Sequence, residues 1–103
     1  MAEAKASNFD DSMLEPFLGQ LRRAPKDKDR LRLIKQVVQN YMIKCDDAAE
    51  MLRKCEGSAG RVEAAVLIFS SIADPENFEE MVQSVFKFSD ERENVKKQTI
   101  GCQ

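Results

Sequence analysis

The chain has 103 residues, of which 43% are hydrophobic and 33% are charged, so it can bury one core but hardly two. Its formal net charge of −2 excludes a protein that wraps nucleic acid over its whole surface, because such binding requires many unopposed lysines and arginines. With no histidine and no CxxC pair, the chain also lacks the means for a Cys-His or Ser-His nucleophile and for the usual zinc sites.

Two helices are predicted in the first part of the chain. Residues 1–9 are small and polar, with little to bury beyond Phe9, and are predicted to be a flexible tail, followed by a single domain over residues 10–100. Asp11 or Ser12 caps the first predicted helix, the Ala24-Pro25 pair ends it, and the second begins near Asp27. Their apolar stripes are Leu14, Phe17, Leu18 and Leu21 in the first helix, and Leu31, Ile34, Val38 and Tyr41 in the second.

The third and fourth predicted helices lie on either side of a glycine. Residues 46–55 form the third, Gly57 ends it, and Ser58 is predicted to cap the fourth. Their apolar stripes are Ala48, Met51, Leu52 and Cys55, and then Val62, Ala65, Phe69 and Ile72.

A fifth helix is predicted after Asp74 and Pro75, which supply a cap and a proline for the first turn. Ser89 is predicted to cap a shorter sixth helix over residues 90–99, and residues 101–103 are predicted to be a flexible tail. The apolar positions are Phe78, Met81, Val82 and Val85 in the fifth helix and only Val95 and Ile100 in the sixth. No segment alternates with period two, so the predicted class is all-α.

The six helices resemble one another in pairs. The apolar offsets 0, 3, 4 and 7 recur in the first, third and fifth helices, and Arg30, Arg61 and Arg92 recur at a spacing of 31 residues at the start of the other three. Six amphipathic helices share much of this pattern by chance, but the equal arginine spacing favours a repeat. We therefore predict three antiparallel helical hairpins, arranged as a short right-handed stack or as a compact bundle.

Several strings in the sequence carry a family resemblance: RLRLIKQVVQNYMI, GRVEAAVLIF and DPENFEEMVQSVFKFSDERENV. They are similar to an uncharacterised family of small α-helical repeat domains of unknown function, in which a D-P-x-N-aromatic turn precedes an F-x-F-S motif. The matching residues are Asp74, Pro75, Asn77 and Phe78 for the turn, and Phe86, Phe88 and Ser89 for the motif. The resemblance covers about residues 13–98 and implies a fold, but no activity.

Residues that could carry chemistry are few. In the pairs Asp46-Asp47 and Asp90-Glu91, the two neighbouring side chains point about 100° apart on a helix, so they do not converge on one proton or metal ion. Both pairs are interpreted as stabilisers of the first turn of a helix. The cysteines are expected to be reduced thiols, with Cys55 buried on an apolar stripe and Cys102 the most exposed and oxidisable. Neither a P-loop nor a GxGxxG motif occurs, so we predict no enzyme activity, no cofactor and no metal.

Charge is unevenly distributed along the chain. Residues 22–35 contain seven bases against two acids, a local +5, whereas residues 74–93 contain seven acids against two bases, a local −5. Three interpretations of the basic segment are open: a solvated loop and helix face, a surface for an acidic protein partner, or a contact with nucleic acid or anionic lipid. The last is disfavoured because no aromatic residue lies in the segment and Asp27 and Asp29 interrupt the cations.

We therefore predict a cytoplasmic, non-enzymatic adaptor or scaffold domain with an acidic protein partner and weak self-association through its opposite poles. One rival is a regulatory domain that contacts nucleic acid or anionic membrane, and another, by analogy of helix count alone, is an adaptor like those of the death-domain superfamily. The longest apolar run, AAVLIF, is too short to cross a bilayer. The candidate partner-binding residues are Arg22, Arg23, Lys26, Lys28, Arg30 and Arg32, although the recurrence of Arg30 favours a structural role for that residue.

Overall fold

Six helices account for most of residues 7–100, the part of the chain that the computed structural model describes. They are α1 (Asp11–Arg23), α2 (Asp27–Asn40), α3 (Cys45–Arg53), α4 (Ser58–Phe69), α5 (Phe78–Val85) and α6 (Ser89–Gln98). Two short strands, β1 (Ser7–Asn8) and β2 (Tyr41–Met42), and a 3-10 turn at Pro75–Asn77 complete the structure. The all-α prediction is confirmed. Residues 1–6 of the N-terminal tail predicted at residues 1–9 lie outside the described residues, as does the predicted tail at residues 101–103, which includes Cys102.

The helices form two layers. In one layer α3 lies between α1 and α5, and in the other α4 lies between α2 and α6. Direct packing of α3 on α4 and of α5 on α6 joins the layers. Because the order within each layer follows the chain, the basic residues 22–35 and the acidic residues 74–93 lie at opposite ends. The hairpin repeat and its handedness stay predictions.

The core lies between the two layers, and its completely buried side chains come from every helix. Among them are Leu21, Ile34, Leu52, Ile68, Phe78 and Val95. The predicted apolar stripes supply most of these side chains, which is why the helix count could be predicted. Ile68 lies off the predicted stripe of its helix, and Ile43 and Phe86 are buried outside the helices. The sixth helix contributes Val95 alone, whereas Ile100 lies beyond its end and is 40% exposed.

Residues 7–9 differ from the prediction of a flexible tail. Strand β1 pairs in parallel with β2, and the Phe9 N–H donates to the Met42 carbonyl at 2.8 Å. Phe9 is only 3% exposed, and its ring packs edge-on against Phe17 and Tyr41, with centroids 5.8 Å away in each case. One buried aromatic side chain therefore holds this segment in place. Tyr41 itself lies in β2, beyond the helix in which it was predicted.

A second backbone connection lies next to this small sheet. The Ile43 N–H donates to the Ser71 carbonyl at 2.7 Å, and the Ala73 N–H donates to the Ile43 carbonyl at 2.8 Å. These bonds require extended chain, so α4 ends at Phe69. Ile72, predicted on the stripe of the fourth helix, is buried in this connection instead.

The three recurring arginines make one equivalent contact each. Every one is the fourth residue of its helix, and its guanidinium donates to the carbonyl six residues earlier, at or just after the end of the preceding helix. The pairs are Arg30 to Ala24 at 2.8 Å, Arg61 to Cys55 at 2.7 Å, and Arg92 to Phe86 at 2.8 Å. Carbonyls at a helix end lack an intrahelical partner, so a charged donor there stabilises the turn. The structural role favoured for these arginines is thereby confirmed.

Asp46 and Asp47 lie in the first turn of α3, as predicted, but only Asp46 faces solvent. Asp47 is 4% exposed, and its Oδ2 has no hydrogen-bond partner. Burial, followed by the nearby charges of Asp11, Asp46 and Glu50, raises the pKa of Asp47 above its ordinary value against the opposing effect of Lys44. The desolvation penalty therefore outweighs the favourable position at a helix N-terminus.

Replacing Asp47 by asparagine is expected to raise the free energy of unfolding by about 1 kcal/mol at pH 7. The folded-state pKa is raised, so the wild type loses stability as pH rises from below 3.8 through that pKa, whereas the variant does not. Urea unfolding at pH 3 and pH 7 measures the difference. An equal gain at both pH values would contradict this explanation, and Asp46→Asn is the exposed control.

Candidate functional site

The exposed cations of residues 22–35 form the surface most distinct from the rest of the molecule. We call it the basic surface and define it as Arg22, Arg23, Lys26, Lys28, Arg32 and Lys35, all of which are exposed. It spans the end of α1, the connecting turn and the first half of α2. Lys35 was not among the sequence candidates, although its spacing of seven residues from Lys28 could have identified it.

Helix geometry brings part of the basic surface onto one stripe. Lys28, Arg32 and Lys35 are separated by four and three residues, so they lie on one face of α2. Arg22 and Arg23 occupy the last turn of α1, where a positive charge favours the helix. The favourable interaction with the helix dipole explains why Arg22 and Arg23 are basic. That interaction does not explain the positive charges of Lys28, Arg32 and Lys35.

Two lysines stand where helix electrostatics oppose them. Lys26 is the N-cap of α2 and makes no side-chain capping hydrogen bond, and Lys28 is in the first turn. A serine, threonine, aspartate or asparagine would serve better as the cap, and positive charge is unfavourable at a helix N-terminus. The stability of α2 therefore does not explain Lys26 or Lys28.

The cations of the basic surface are poorly compensated. Among residues 7–100, no carboxylate lies within the 4.0 Å ion-pair distance of Arg22, Arg23, Lys26, Lys28 or Lys35. Arg32 contacts the Asp29 carboxylate at 3.8 Å, but such a solvent-exposed pair contributes little free energy. The basic surface is thus able to attract an external anion or acidic group.

Arg30 must be removed from the candidate binding residues. It is 4% exposed, and its Nε donates to the Leu21 carbonyl at 3.0 Å while Nη2 donates to the Ala24 carbonyl at 2.8 Å. Its Nη1 forms an ion pair with the Asp27 carboxylate at 2.6 Å. Each of the three guanidinium nitrogens is engaged inside the protein, so Arg30 cannot contact a partner without disrupting the turn.

Asp27 connects α2 to the start of α4. Its carboxylate accepts hydrogen bonds from the backbone N–H groups of Glu56, at 2.9 Å, and Gly57, at 2.8 Å. Gly57 is the N-cap of α4, so Asp27 caps that helix from another helix. Burial favours the neutral acid, but these two amides and the Arg30 guanidinium outweigh it and lower the pKa of Asp27 below its ordinary value.

Ser58 does not cap α4, contrary to the prediction. Gly57 occupies the N-cap position, and Ser58 is the first residue of the helix. The Ser58 hydroxyl donates to the Glu91 carboxylate on α6, so it joins two helices of one layer. Among residues 7–100, the Glu91 carboxylate is the hydrogen-bond partner of this hydroxyl.

Two acidic clefts lie away from the basic surface. The cleft between α3 and α5 is lined by Asp46, Glu50, Asp74 and Glu80, with Arg53 as its lining cation. The cleft between α4 and α6 is lined by Glu63, Asp90 and Glu91. Within residues 7–100, no group of three or more His, Cys, Asp or Glu side chains is placed to hold a metal ion.

Both described cysteines are buried thiols. Burial, together with the neighbouring Asp74 carboxylate, raises the pKa of Cys45 to about 12. Burial is also the main cause that raises the pKa of Cys55 to about 11. Because the thiolate is the reactive form, neither side chain is a nucleophile at neutral pH. Cys45 does line the acidic cleft between α3 and α5, but Arg53, the cation in that lining, forms an ion pair with Glu50 at 3.1 Å.

The fold and these surfaces define a class, a small all-α domain that carries a basic surface at one end and acidic clefts towards the other. Among the described helices, none combines the length and apolar character needed to cross a membrane. The chain belongs to a family described as a domain of unknown function (DUF4476), whose model matches residues 8–99. The resemblance to an uncharacterised helical family is thereby confirmed. Searches among curated proteins and among solved structures found no match.

Proposed function

We propose that this chain is a non-enzymatic adaptor or scaffold domain of the cytoplasm, whose basic surface binds an acidic surface of a protein partner. The observation that carries the proposal is the set of five exposed cations without a carboxylate partner among residues 7–100, two of which oppose the dipole of α2. Positive charge placed where it lowers the stability of α2 is best explained by a contact outside the domain.

The chemistry of the described side chains supports a binding role over a catalytic one. General acid-base catalysis near neutral pH most often uses histidine, and the chain has none. The raised pKa values of Cys45 and Cys55 keep both thiols protonated. A binding domain needs neither group, only a surface of fixed charge.

Reversing two charges of the basic surface, in Lys28→Glu/Arg32→Glu, is expected to weaken partner binding about tenfold or more. Both side chains are exposed, so the melting temperature should change by no more than ~3 °C. Affinity capture from nuclease-treated lysate of the native cells, quantified by mass spectrometry, measures the binding. Arg53→Glu/Lys87→Glu makes the same change of net charge elsewhere and is the matched control.

Equal capture by Lys28→Glu/Arg32→Glu and its control would refute the proposed role of the basic surface. The nucleic-acid and membrane alternatives are tested by titrating DNA, RNA and anionic vesicles against the wild type at increasing salt. Binding that falls steeply with salt would favour those alternatives, because release of counterions makes such complexes salt-dependent.

A further inference from the structure

Phe88 is an apolar side chain that the fold does not use. It is 68% exposed, and Ile100 is the other large apolar residue left exposed within residues 7–100. Phe88 is the N-cap of α6, a position that favours short polar side chains, and it makes no capping hydrogen bond. Neither the core nor the helix therefore explains a phenylalanine here.

Acidic residues follow Phe88 along α6, whereas Lys87 precedes it in the chain and Arg92 is bonded to the Phe86 and Lys87 carbonyls. Asp90 and Glu93 follow within the first turns of α6, are exposed, and lie three residues apart on one helix face. Glu91, between them, is partly buried and is engaged by Ser58. Phe88 and these acids form what we call the acidic tip, defined as Phe88, Asp90 and Glu93.

An apolar groove lies at the other end of the molecule, between α1 and α2. Its volume is about 440 Å³, and its apolar lining includes Phe9, Met13, Pro16, Leu33, Val37 and Tyr41. Among residues 7–100, no charged side chain lines it. Helices α3 and α4 pack directly on each other, as do α5 and α6. Between α1 and α2, by contrast, Phe9 lies between Phe17 of α1 and Tyr41 at the end of α2. The wedge formed by Phe9 explains the groove.

Cations of the basic surface border this groove. Gln20 and Gln36 line it, and one helical turn from them stand Arg23 on α1 and Arg32 on α2. The other two large clefts are lined by acids, so the α1–α2 groove combines an apolar floor with positive borders. Its charge and polarity complement those of the acidic tip.

We propose that the groove between α1 and α2 of one molecule binds the acidic tip of a second copy, with Phe88 inserted and Asp90 and Glu93 facing Arg23 and Arg32. The two surfaces lie at opposite ends of the layers, so the contact is head-to-tail and leaves a free groove and a free tip on every dimer. The contact area of one side chain and a few charges is small, so the association is weak and reversible. The inference rests on the proposed function, because it uses the same cations.

Sedimentation equilibrium of the full chain tests this contact. The weight-average mass of the wild type is expected to rise beyond that of a dimer between roughly 10 µM and 1 mM protein, and less so at high salt. A tip variant, Phe88→Ala/Asp90→Lys, and a groove variant, Arg23→Glu/Arg32→Glu, should each remain monomeric. Mixed in equal amounts, they should form a one-to-one complex that does not grow, because each supplies the surface that the other lacks.

The matched control is Ile100→Ala/Glu63→Lys, which truncates the other exposed apolar residue and makes the same charge change on α4. It should associate like the wild type. A wild type that stays monomeric at the highest concentration, a tip variant that still associates, or two variants that do not combine would each overturn the proposal. The effect of salt on the weight-average mass of the wild type requires no variant, so it still tests the contact if a variant fails to fold.

The outcome separates this inference from the proposed function. The tip variant retains the entire basic surface, so a partner captured through that surface should still be captured by the tip variant. If the tip variant no longer self-associates but still captures the partner, both the head-to-tail contact and the proposed function are supported. If the wild type self-associates but captures no partner through the basic surface, only the head-to-tail contact is supported.

Discussion

Replacing Asp27 by alanine is expected to lower the free energy of unfolding by about 3 kcal/mol. The substitution removes the acceptor for the Glu56 and Gly57 amides and the charge partner of the buried Arg30. The Glu56 carboxylate remains 3.7 Å from the Arg30 Nη2, but it is largely exposed to solvent and compensates the charge only weakly. The buried guanidinium therefore keeps most of its desolvation penalty, which is why the effect exceeds that of one hydrogen bond. Urea unfolding at pH 7 followed by circular dichroism measures it.

The pH dependence of this effect follows from the ionisation of Asp27. Its folded-state pKa is lowered from 3.8, so the stability that the carboxylate contributes is present above 3.8 and is lost as pH falls through the lowered pKa. The difference between wild type and Asp27→Ala should therefore shrink below pH ~4. Asp29→Ala, which removes an exposed partner of Arg32, should cost less than about 0.5 kcal/mol. Equal losses at Asp27 and Asp29 would contradict the role given to Asp27.

Gly60→Ala is expected to destabilise the protein by about 2 kcal/mol, although alanine is the better helix former. A Cβ at this position would lie 2.5 Å from the Asp27 Oδ2 and 2.9 Å from its Cγ. Relief of that overlap requires Asp27 to move, and its carboxylate is held by the Glu56 and Gly57 amides. No glycine among the described residues has a positive φ, so lack of space rather than backbone conformation is the cause.

Gly19→Ala is the matched control, because Gly19 is also a helical glycine. Its Cβ would meet only the ends of the Arg22 and Arg23 side chains, at 3.8 and 3.6 Å. Relief of the glycine penalty should then raise the free energy of unfolding by up to ~1 kcal/mol. The two substitutions should move the melting temperature in opposite directions. A stabilising Gly60→Ala would show that Asp27 is not fixed against α4.

The helices were predictable because their apolar residues recur at 3.6-residue spacing and their ends carry local signals. The Ala24-Pro25 pair and the Asp74-Pro75 pair each lie at a predicted boundary, and α1 ends at Arg23. The 3-10 turn at Pro75–Asn77 was absorbed into the fifth helix, since a proline in the first turn fits either structure.

The predicted caps of the first and sixth helices, Asp11 or Ser12 and Ser89, are wrong, because the N-caps are Asp10 and Phe88. The other errors concern contacts between residues distant in sequence. Asp27 reaches Gly57 across 30 residues, and nothing in the local pattern distinguishes it from an ordinary first-turn acid. Strand β1 is two residues long and polar, so it has no alternation to detect. Ser58 follows a glycine and precedes an apolar run, the usual pattern of a cap, yet its hydroxyl bonds to α6.

The binding surface was predictable in part. Counting charge identified the segment, and the spacing of 31 residues singled out Arg30 as structural, which its burial confirms. The apolar groove could not be predicted, because it depends on Phe9 entering between two helices. Phe88 was noted only as part of a motif, since periodicity cannot tell an exposed aromatic from a buried one.

The most direct test of the basic surface is amide chemical-shift mapping. The ¹⁵N-labelled chain is titrated with the protein isolated by affinity capture, and shift changes are followed residue by residue. We expect the largest changes on residues 22–35, with Lys28 and Arg32 among them, and no change in the amides lining the cleft between α3 and α5. Changes confined to that cleft, with residues 22–35 unaffected, would contradict the proposed role of the basic surface.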